Sequence, residues 1–487
     1  MAASMVVGRK LLKLSSTLVF RAQEARLLSS QVSVQEDVKY PPIRGKYPPG
    51  EWPKNEEDMH PDVCWEWYDK GQEFRSLPTI QERLDHMEST YFDKDYGVHT
   101  YVYPSLNLSP NSLEFQQFVT KTALIEGMPN VYNLLDVQKD IDYLTPLLKE
   151  KIVMNTTLMR RDKNNFISKR ETSHEFIKDI MMMVITCMGG KYRHLVESSL
   201  NEQVDIHAHW NRYKVERLLP QEKRYQTYWS PDKITIKPSH SQYNHCFLSQ
   251  GKADLLLRTE LPLPEFVSMN DELSTKEYPP FDYFPNQHRT RRQWKKLKVS
   301  PGHNFGDPNS FGYLAVLNSN DDKWLTNTRS YPRGVVHNMK RGWGMNNMFL
   351  WTVAQAHYQG FNSYNNITYP FTSQGIITDG KRYTFMAYQL NTLHLWKDDA
   401  AEPLVNLCWH KDNQKLYDTV EDGEVKGFNE EVCAQLLKFF LIRPAERGYD
   451  LRPTLPEDST DRIKKNAWIE DKVEIVEEVE EIVFDES

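Results

Sequence analysis

Ser373-Gln374-Gly375-Ile376-Ile377-Thr378-Asp379-Gly380-Lys381-Arg382-Tyr383-Thr384-Phe385-Met386-Ala387-Tyr388-Gln389-Leu390 is the stretch on which the fold turns. Ser373–Thr378 and Lys381–Leu390 are rich in β-branched and aromatic residues. Between them stands Asp379-Gly380. An Asp-Gly pair flanked by two such runs is a strong signal for a tight hairpin, because the turn needs residues that tolerate positive φ. Downstream, Asn429 precedes Glu430 and Glu431, then Val432, Leu436, Leu437, Phe440 and Leu441, and Pro444 follows. A side-chain oxygen at the cap, acids in the first turn and an apolar face predict a helix that stops before the proline. Upstream, Met348–Tyr358 reads as a helix ended by Gly360. Strands with flanking helices predict an α+β unit over 342–444 with a mixed or antiparallel sheet.

The remainder divides by composition. Residues 112–287 form a helical and mixed region. Within it Leu113, Phe115, Phe118 and Leu124 predict a helix over 112–126, stopped at Gly127 and Pro129. Asn133–Lys151 predicts another, and Ile180–Met188 a buried helix stopped by Gly189-Gly190. The stretch 204–247 alternates like strands, most clearly at Lys233–Lys237, and 260–285 reads as an irregular Pro- and acid-rich connector. Residues 29–111 hold an extended arm, with KYPP at Lys39–Pro42 and again at Lys46–Pro49, then a polar helical stretch over 63–92. Residues 445–487 form an acidic tail; 470–487 alone carries nine acids and one lysine. Blocks of like charge stay solvated.

The leader, 1–28, has Arg9, Lys10, Lys13, Arg21 and Arg26 against one acid, Glu24, with Leu and Ser interleaved. An Arg-rich, Ser-rich, acid-poor amphipathic leader reads as a mitochondrial transit peptide. The expected location is therefore the mitochondrial matrix. The longest apolar run, Ile180–Met188, is far below the roughly 20 residues of a span, so no membrane span is expected. The five cysteines lie far apart, with no CxxC, which argues against a disulfide framework or zinc ribbon. The 487-residue chain has 60 Lys and Arg against 67 Asp and Glu, net −7, which excludes a uniformly basic coat for nucleic acid.

The familiar catalytic signatures do not occur: no P-loop, no GxGxxG, no GxSxG, and His174-Glu175 has Lys178 where HExxH needs its second histidine. No cofactor and no metal are expected. His207 and His209 form an HxH pair on a strand, but a metal needs three or four convergent ligands, so two strand histidines beside Trp210 are the plainer reading. Asp379 is explained by its turn. The segment 288–341 stands out: eleven bases against three acids, net +8, with Trp294, Phe305, Phe311, Tyr313, Trp324 and Tyr331 interleaved. Cations neutralise phosphates and aromatic rings stack on bases, so this basic aromatic segment is the place to expect RNA contact. The candidates are Arg289, Arg291, Arg292, Lys295, Lys296, Lys298, Arg329, Arg333, Lys340 and Arg341.

Several motifs together resemble a known family. They are Ala354-Gln355-Ala356-His357-Tyr358-Gln359-Gly360-Phe361, Pro370-Phe371-Thr372-Ser373-Gln374, Tyr388-Gln389-Leu390-Asn391-Thr392-Leu393, Asn406-Leu407-Cys408-Trp409, Val425-Lys426-Gly427-Phe428-Asn429 and Arg443-Pro444. The chain resembles the mitochondrial ribosomal protein S-thirty family, also called programmed cell death protein 9. The resemblance is dense over 351–444 and thinner upstream, at Tyr40–Ile43, Phe118–Thr122 and Ile206–Trp210. The acidic tail has no counterpart in it. The resemblance implies a non-enzymatic structural constituent of the mitochondrial large ribosomal subunit that supports mitochondrial translation. Its implied partners are mitochondrial rRNA, other mitochondrial ribosomal proteins, and the related large-subunit protein L-thirty-seven as a pseudo-symmetric mate. The alternative is a matrix RNA-binding or nucleic-acid-processing protein that visits the ribosome transiently.

Overall fold

The computed structural model describes residues 98–161, 169–216, 242–281, 290–304, 306–320, 330–362, 366–397 and 402–448, with a few isolated positions besides. The transit-type leader, the Pro-rich arm, nearly all of the stretch 63–92, the alternating run Lys233–Lys237, Arg289, Arg329 and the tail 470–487 lie outside the described residues. The elements below belong to one compact unit within Pro42–Arg447.

In chain order they are β1 (Val98–Pro104), α1 (Ser112–Val119), β2 (Thr122–Glu126), α2 (Asn130–Asn133), α3 (Gln138–Arg161) and α4 (Lys169–Met188). Then come α5 (Arg193–Glu197), β3 (Ser199–Glu216), β4 (Gln242–Thr259), β5 (Arg291–Lys295), β6 (Phe311–Asn318) and α6 (Arg333–Tyr358). The last are β7 (Phe371–Thr378), β8 (Arg382–Leu390), β9 (Asn406–Lys415), the small ribbon β10 (Thr419–Glu421) and β11 (Glu424–Lys426), and α7 (Glu430–Leu441). The main sheet has nine strands, in the order β2-β9-β8-β7-β6-β4-β1-β5, with β3 against β4. β1 and β4, β6 and β7, and β2 and β9 run parallel; the other pairs are antiparallel. The fold is α+β with a mixed sheet.

The hairpin forms, but of the Asp379-Gly380 pair only Gly380 takes positive φ, and β8 begins at Arg382 rather than Lys381. Thr378 faces Tyr383 and Phe371 faces Leu390. Gly380 takes φ +87, and the Asp379 carboxylate accepts the N–H of Lys381 at 2.9 Å and of Arg382 at 2.6 Å. β6 and β7 are buried along their whole length, because helices cover both faces of the sheet. On one face lie α3, α4 and α7, which bring Ile141, Leu148, Ile180, Val184, Leu436 and Phe440 onto Leu255, Val316, Ile376 and Phe385. On the other lies α6, buried from Gly342 to Tyr358.

α6 sits close because glycines face it. A Cβ on Gly312 would stand 2.8 Å from Trp351 Cζ2, and one on Gly375 2.7 Å from Met348 Sδ. Two buried polar groups on α6 are answered by the sheet: Asn346 accepts from Tyr103 Oη at 3.0 Å, and Gln355 accepts from Gly312 N at 2.7 Å. Leaving such groups unanswered costs about 1–3 kcal/mol each, so they set the helix in one register.

β4 organises the rest. β3 pairs along almost all of one edge, Gln242 to Arg258. The other edge is shared: β1 takes Cys246–Gln250 and β6 takes Leu255–Thr259. β5 and the hairpin β7–β8 therefore lie on the same side of β4.

The structure corrects several boundaries. Residues 112–126 are not one helix. α1 stops at Val119; Thr120 Oγ1 donates to Gln116 O at 2.6 Å, and Lys121 turns through φ 48. The apolar residues after it enter β2, where Leu124 pairs beside Cys408 of β9. The helix read from Met348 begins at Arg333. Its buried half shows no 3.6-residue apolar period because polar residues are buried with the rest. The helix read over Asn133–Lys151 is α3, which runs from Gln138 to Arg161, and the one read over Ile180–Met188 begins earlier, at Lys169; Asn429 caps α7 by accepting from Glu431 N at 3.0 Å and Val432 N at 3.3 Å.

Candidate nucleic-acid interface

β5 ends the strand order beyond β1, with Val98 opposite Lys295 and Val102 opposite Arg291. Cations on an edge strand both discourage edge-to-edge pairing and present charge outward. Arg291 and Arg292 belong to this strand, and Lys295, Lys296 and Lys298 are exposed. Beyond Lys298 the chain is pinned. Ser300 N donates to His207 O at 2.8 Å, His207 N donates to Ser300 O at 3.0 Å, and Pro301 O accepts from Trp351 Nε1 at 3.0 Å. The lysines therefore ride on a segment held at both ends, which limits the entropy lost on binding.

The HxH pair lies beneath this segment. His207 is half-buried; burial, and then the Lys298 charge, lowers its pKa. His209 is buried and stacks on His357 of α6, with ring centroids 5.1 Å apart. Burial, then His357, holds the His209 imidazole well below its usual range. Among the described residues no group of three His, Cys, Asp or Glu could hold a metal ion. Sequence reasoning missed His357 as the partner of His209. Its only trace is a histidine that follows the mixed stretch Trp351–Ala356.

The other candidates lie on α6. Arg333 is its first residue and is exposed. Lys340 is half-buried, and burial lowers its pKa; Arg382 adds to the lowering and Asp379 opposes it. Arg341 is committed internally: it pairs with Asp412, whose carboxylate also lies 3.2 Å from His410 Nδ1. Burial works to raise the Asp412 pKa, but hydrogen bonds from His410 and Arg341 outweigh it and hold the carboxyl low. Asp379 serves its own turn, as above. Among the described residues no helix is long and apolar enough to cross a membrane.

A rigid mixed sheet with cations on an exposed edge is a scaffold that presents surfaces, and comparison with known proteins places it among the proteins of the mitochondrial ribosome. The chain belongs to the family described as mitochondrial 28S ribosomal protein S30 (PDCD9), whose family model matches residues 11–444. It is similar to large ribosomal subunit protein mL37 of Gallus gallus, 20% identical over 315 residues, covering 63% of this chain and 62% of that protein. The chain thus spans less than two thirds of the curated relative's length.

Proposed function

We propose that the chain is an architectural component of the mitochondrial large ribosomal subunit, supporting mitochondrial translation through protein–protein and rRNA contacts and carrying out no catalysis of its own. The family description carries the 28S label and the relative the large-subunit label; the proposal follows the relative, whose likeness extends over 315 residues. The observation that carries the RNA contact is the run of exposed lysines, Lys295, Lys296 and Lys298, after edge strand β5. Arg289, Arg291 and Arg292 extend it in sequence. Kinship with mL37 supports an mL37-type protein (the L-thirty-seven of the resemblance) as pseudo-symmetric partner.

In a gradient of mitochondrial lysate, tagged protein is expected with the large subunit after a moderate salt wash. Sedimentation with the small subunit, or as a free species, refutes the assignment. Steep loss with salt identifies a transient electrostatic visitor instead. Reversing the charges of Lys295, Lys296 and Lys298 together is expected to reduce incorporation; normal incorporation shows that this edge does not meet rRNA.

A further inference from the structure

α3 carries two apolar rows, and the core uses one of them. Ile141, Leu144, Leu148 and Ile152 are buried in the core. Tyr143, Leu147, Met154 and Leu158 recur at spacings of four, seven and four, which puts them on one stripe of the helix, turned away from the first row. Tyr143, Met154 and Leu158 are 58, 51 and 59% exposed, and Leu147 is half-buried. The stripe runs for about 22 Å, some four helical turns.

Two walls stand beside it. α4 runs antiparallel along one flank: Lys191, just past its end, holds Asp140 at 2.7 Å, and Asp179, in its middle, lies 3.5 Å from Lys151. That register sets the exposed Met182 and the half-buried Met183 level with Leu147. On the other flank lies the end of the ribbon β10–β11, where Lys149 Nζ stands 5.0 Å from the ring centroid of Phe428. Lys149 and Lys151 are two residues apart on a helix, hence on opposite sides of it.

The floor and both walls bear acids. Glu150 stands on the stripe, Glu175 and Asp179 on α4, and Glu421, Asp422 and Glu424 on the ribbon, all exposed. The bases among them are engaged: Lys151 with Asp179, Lys178 with Glu202 at 2.7 Å, and Lys426 with Glu424 at 2.8 Å. Lys139, one turn before Tyr143, is an exposed base at the end of the stripe. The field over the stripe is therefore negative, which repels phosphate and draws cations. A tyrosine with flexible methionines is the composition of a protein interface.

We propose that this face is a docking groove for a basic amphipathic helix of a neighbouring protein. The apolar row of that helix seats on Tyr143, Leu147, Met154, Leu158 and Met182, and its Lys and Arg meet the acids on either side. The inference rests on the reading of the chain as a component of the ribosome, and it supplies the surface and the chemistry of one protein contact. Charge decides against the other occupants. A second copy of this chain would set like acids against like. The tail 470–487, with nine acids and one lysine, meets the same repulsion.

The test is carbodiimide coupling in intact mitochondrial ribosomes, which joins a carboxylate to a lysine amine in contact with it, followed by mass spectrometry of the linked peptides. Glu150, Glu175 and Asp179 are expected to link to lysines that recur at helical spacing in one segment of another protein. Links to a second copy of this chain, or to Lys10 and Lys13 of the leader, overturn the proposal. Met154 and Met182 are expected to be oxidised by hydrogen peroxide in the isolated chain, to be protected in the intact particle, and to stay protected after nuclease digestion. Oxidation in the intact particle means that solvent covers the face, and protection lost with nuclease means that RNA does; either result overturns the proposal while leaving the chain a ribosomal component. Absence of the chain from the ribosomal fraction overturns the architectural reading itself. An M154E/L158E chain, altered only at exposed positions, is expected to melt at the temperature of the unaltered chain and to enter the particle several-fold less. Equal incorporation counts against the proposal.

Discussion

Tyr313→Phe tests whether the sheet terminates the last helix. α7 ends in carbonyls that its own backbone cannot satisfy, and side chains from elsewhere serve them. Gln374 Nε2 donates to Phe439 O at 3.1 Å. Tyr313 Oη lies 2.6 Å from Phe440 O and 2.8 Å from Ile442 O, and His194 Nε2 lies 3.1 Å from Phe440 O. A tyrosine has one proton to give. The arrangement that answers every group has Tyr313 donating to Ile442 O and the neutral imidazole donating from Nε2 to Phe440 O. Phenylalanine keeps the ring, so no cavity forms. Phe440 O retains His194, while Ile442 O, on a residue 3% exposed, loses its donor. An unanswered buried acceptor costs about 1–3 kcal/mol. Urea unfolding of the full chain, followed by tryptophan fluorescence, is expected to show a lower midpoint with an unchanged slope. A midpoint equal to that of the unaltered chain would falsify this account of how α7 is held.

Three further outcomes follow from the same packing. Burial holds His194, His303 and His357 down at about 4; the unfolded values lie near 6.5, so their contribution is complete above about pH 6.5 and lost as pH falls towards 4. The three together give a slope of about 4 kcal/mol per pH unit near pH 5, and a melting temperature flat between pH 6.5 and 4.5 contradicts it. Gly312→Ala places a methyl 2.8 Å from the buried, hydrogen-bonded ring of Trp351 and is expected to cost about 1–3 kcal/mol. Gly375→Ala meets the flexible thioether of Met348 and is expected to cost less, so thermal melts that reverse this order count against the packing argument. Asn429→Ala removes the acceptor for Glu431 N and Val432 N and is expected to cost about 1 kcal/mol; Asn429→Asp, which restores an acceptor, is expected to recover most of it in the same melt.

What the sequence discloses depends on how local its cause is. The hairpin is legible because Asp379-Gly380 carries its own turn chemistry, and α7 because Asn429, Glu430 and Glu431 mark its start whatever surrounds it. α6 is only half legible. Gly342, Gly344, Asn346 and Asn347 weaken any helical reading, and the reason for three of them lies outside the helix: Gly342 faces α1, while Gly344 and Asn346 meet the sheet. β2 is read as helix because Leu124 falls near the period of Phe115 and Phe118, while its strand partner, β9, lies nearly 300 residues away in sequence. Parallel pairing leaves no local signature at that separation.

The basic segment shows the same limit in charge. Its +8 over 288–341 is a sum along the chain, whereas a phosphate meets charges gathered in space and not already engaged. β6 runs through the middle of that segment as a wholly buried strand and separates the β5 lysines from the first turns of α6. Arg341 then counts for little outward because Asp412 holds it. Lys415, which strand register sets opposite Arg382, is likewise held, by Asp418 at 3.0 Å. The sum over 288–341 therefore resolves into unlike parts: the β5 lysines are continuous in sequence and legible there, while at α6 a partner from elsewhere in the chain has already taken Arg341.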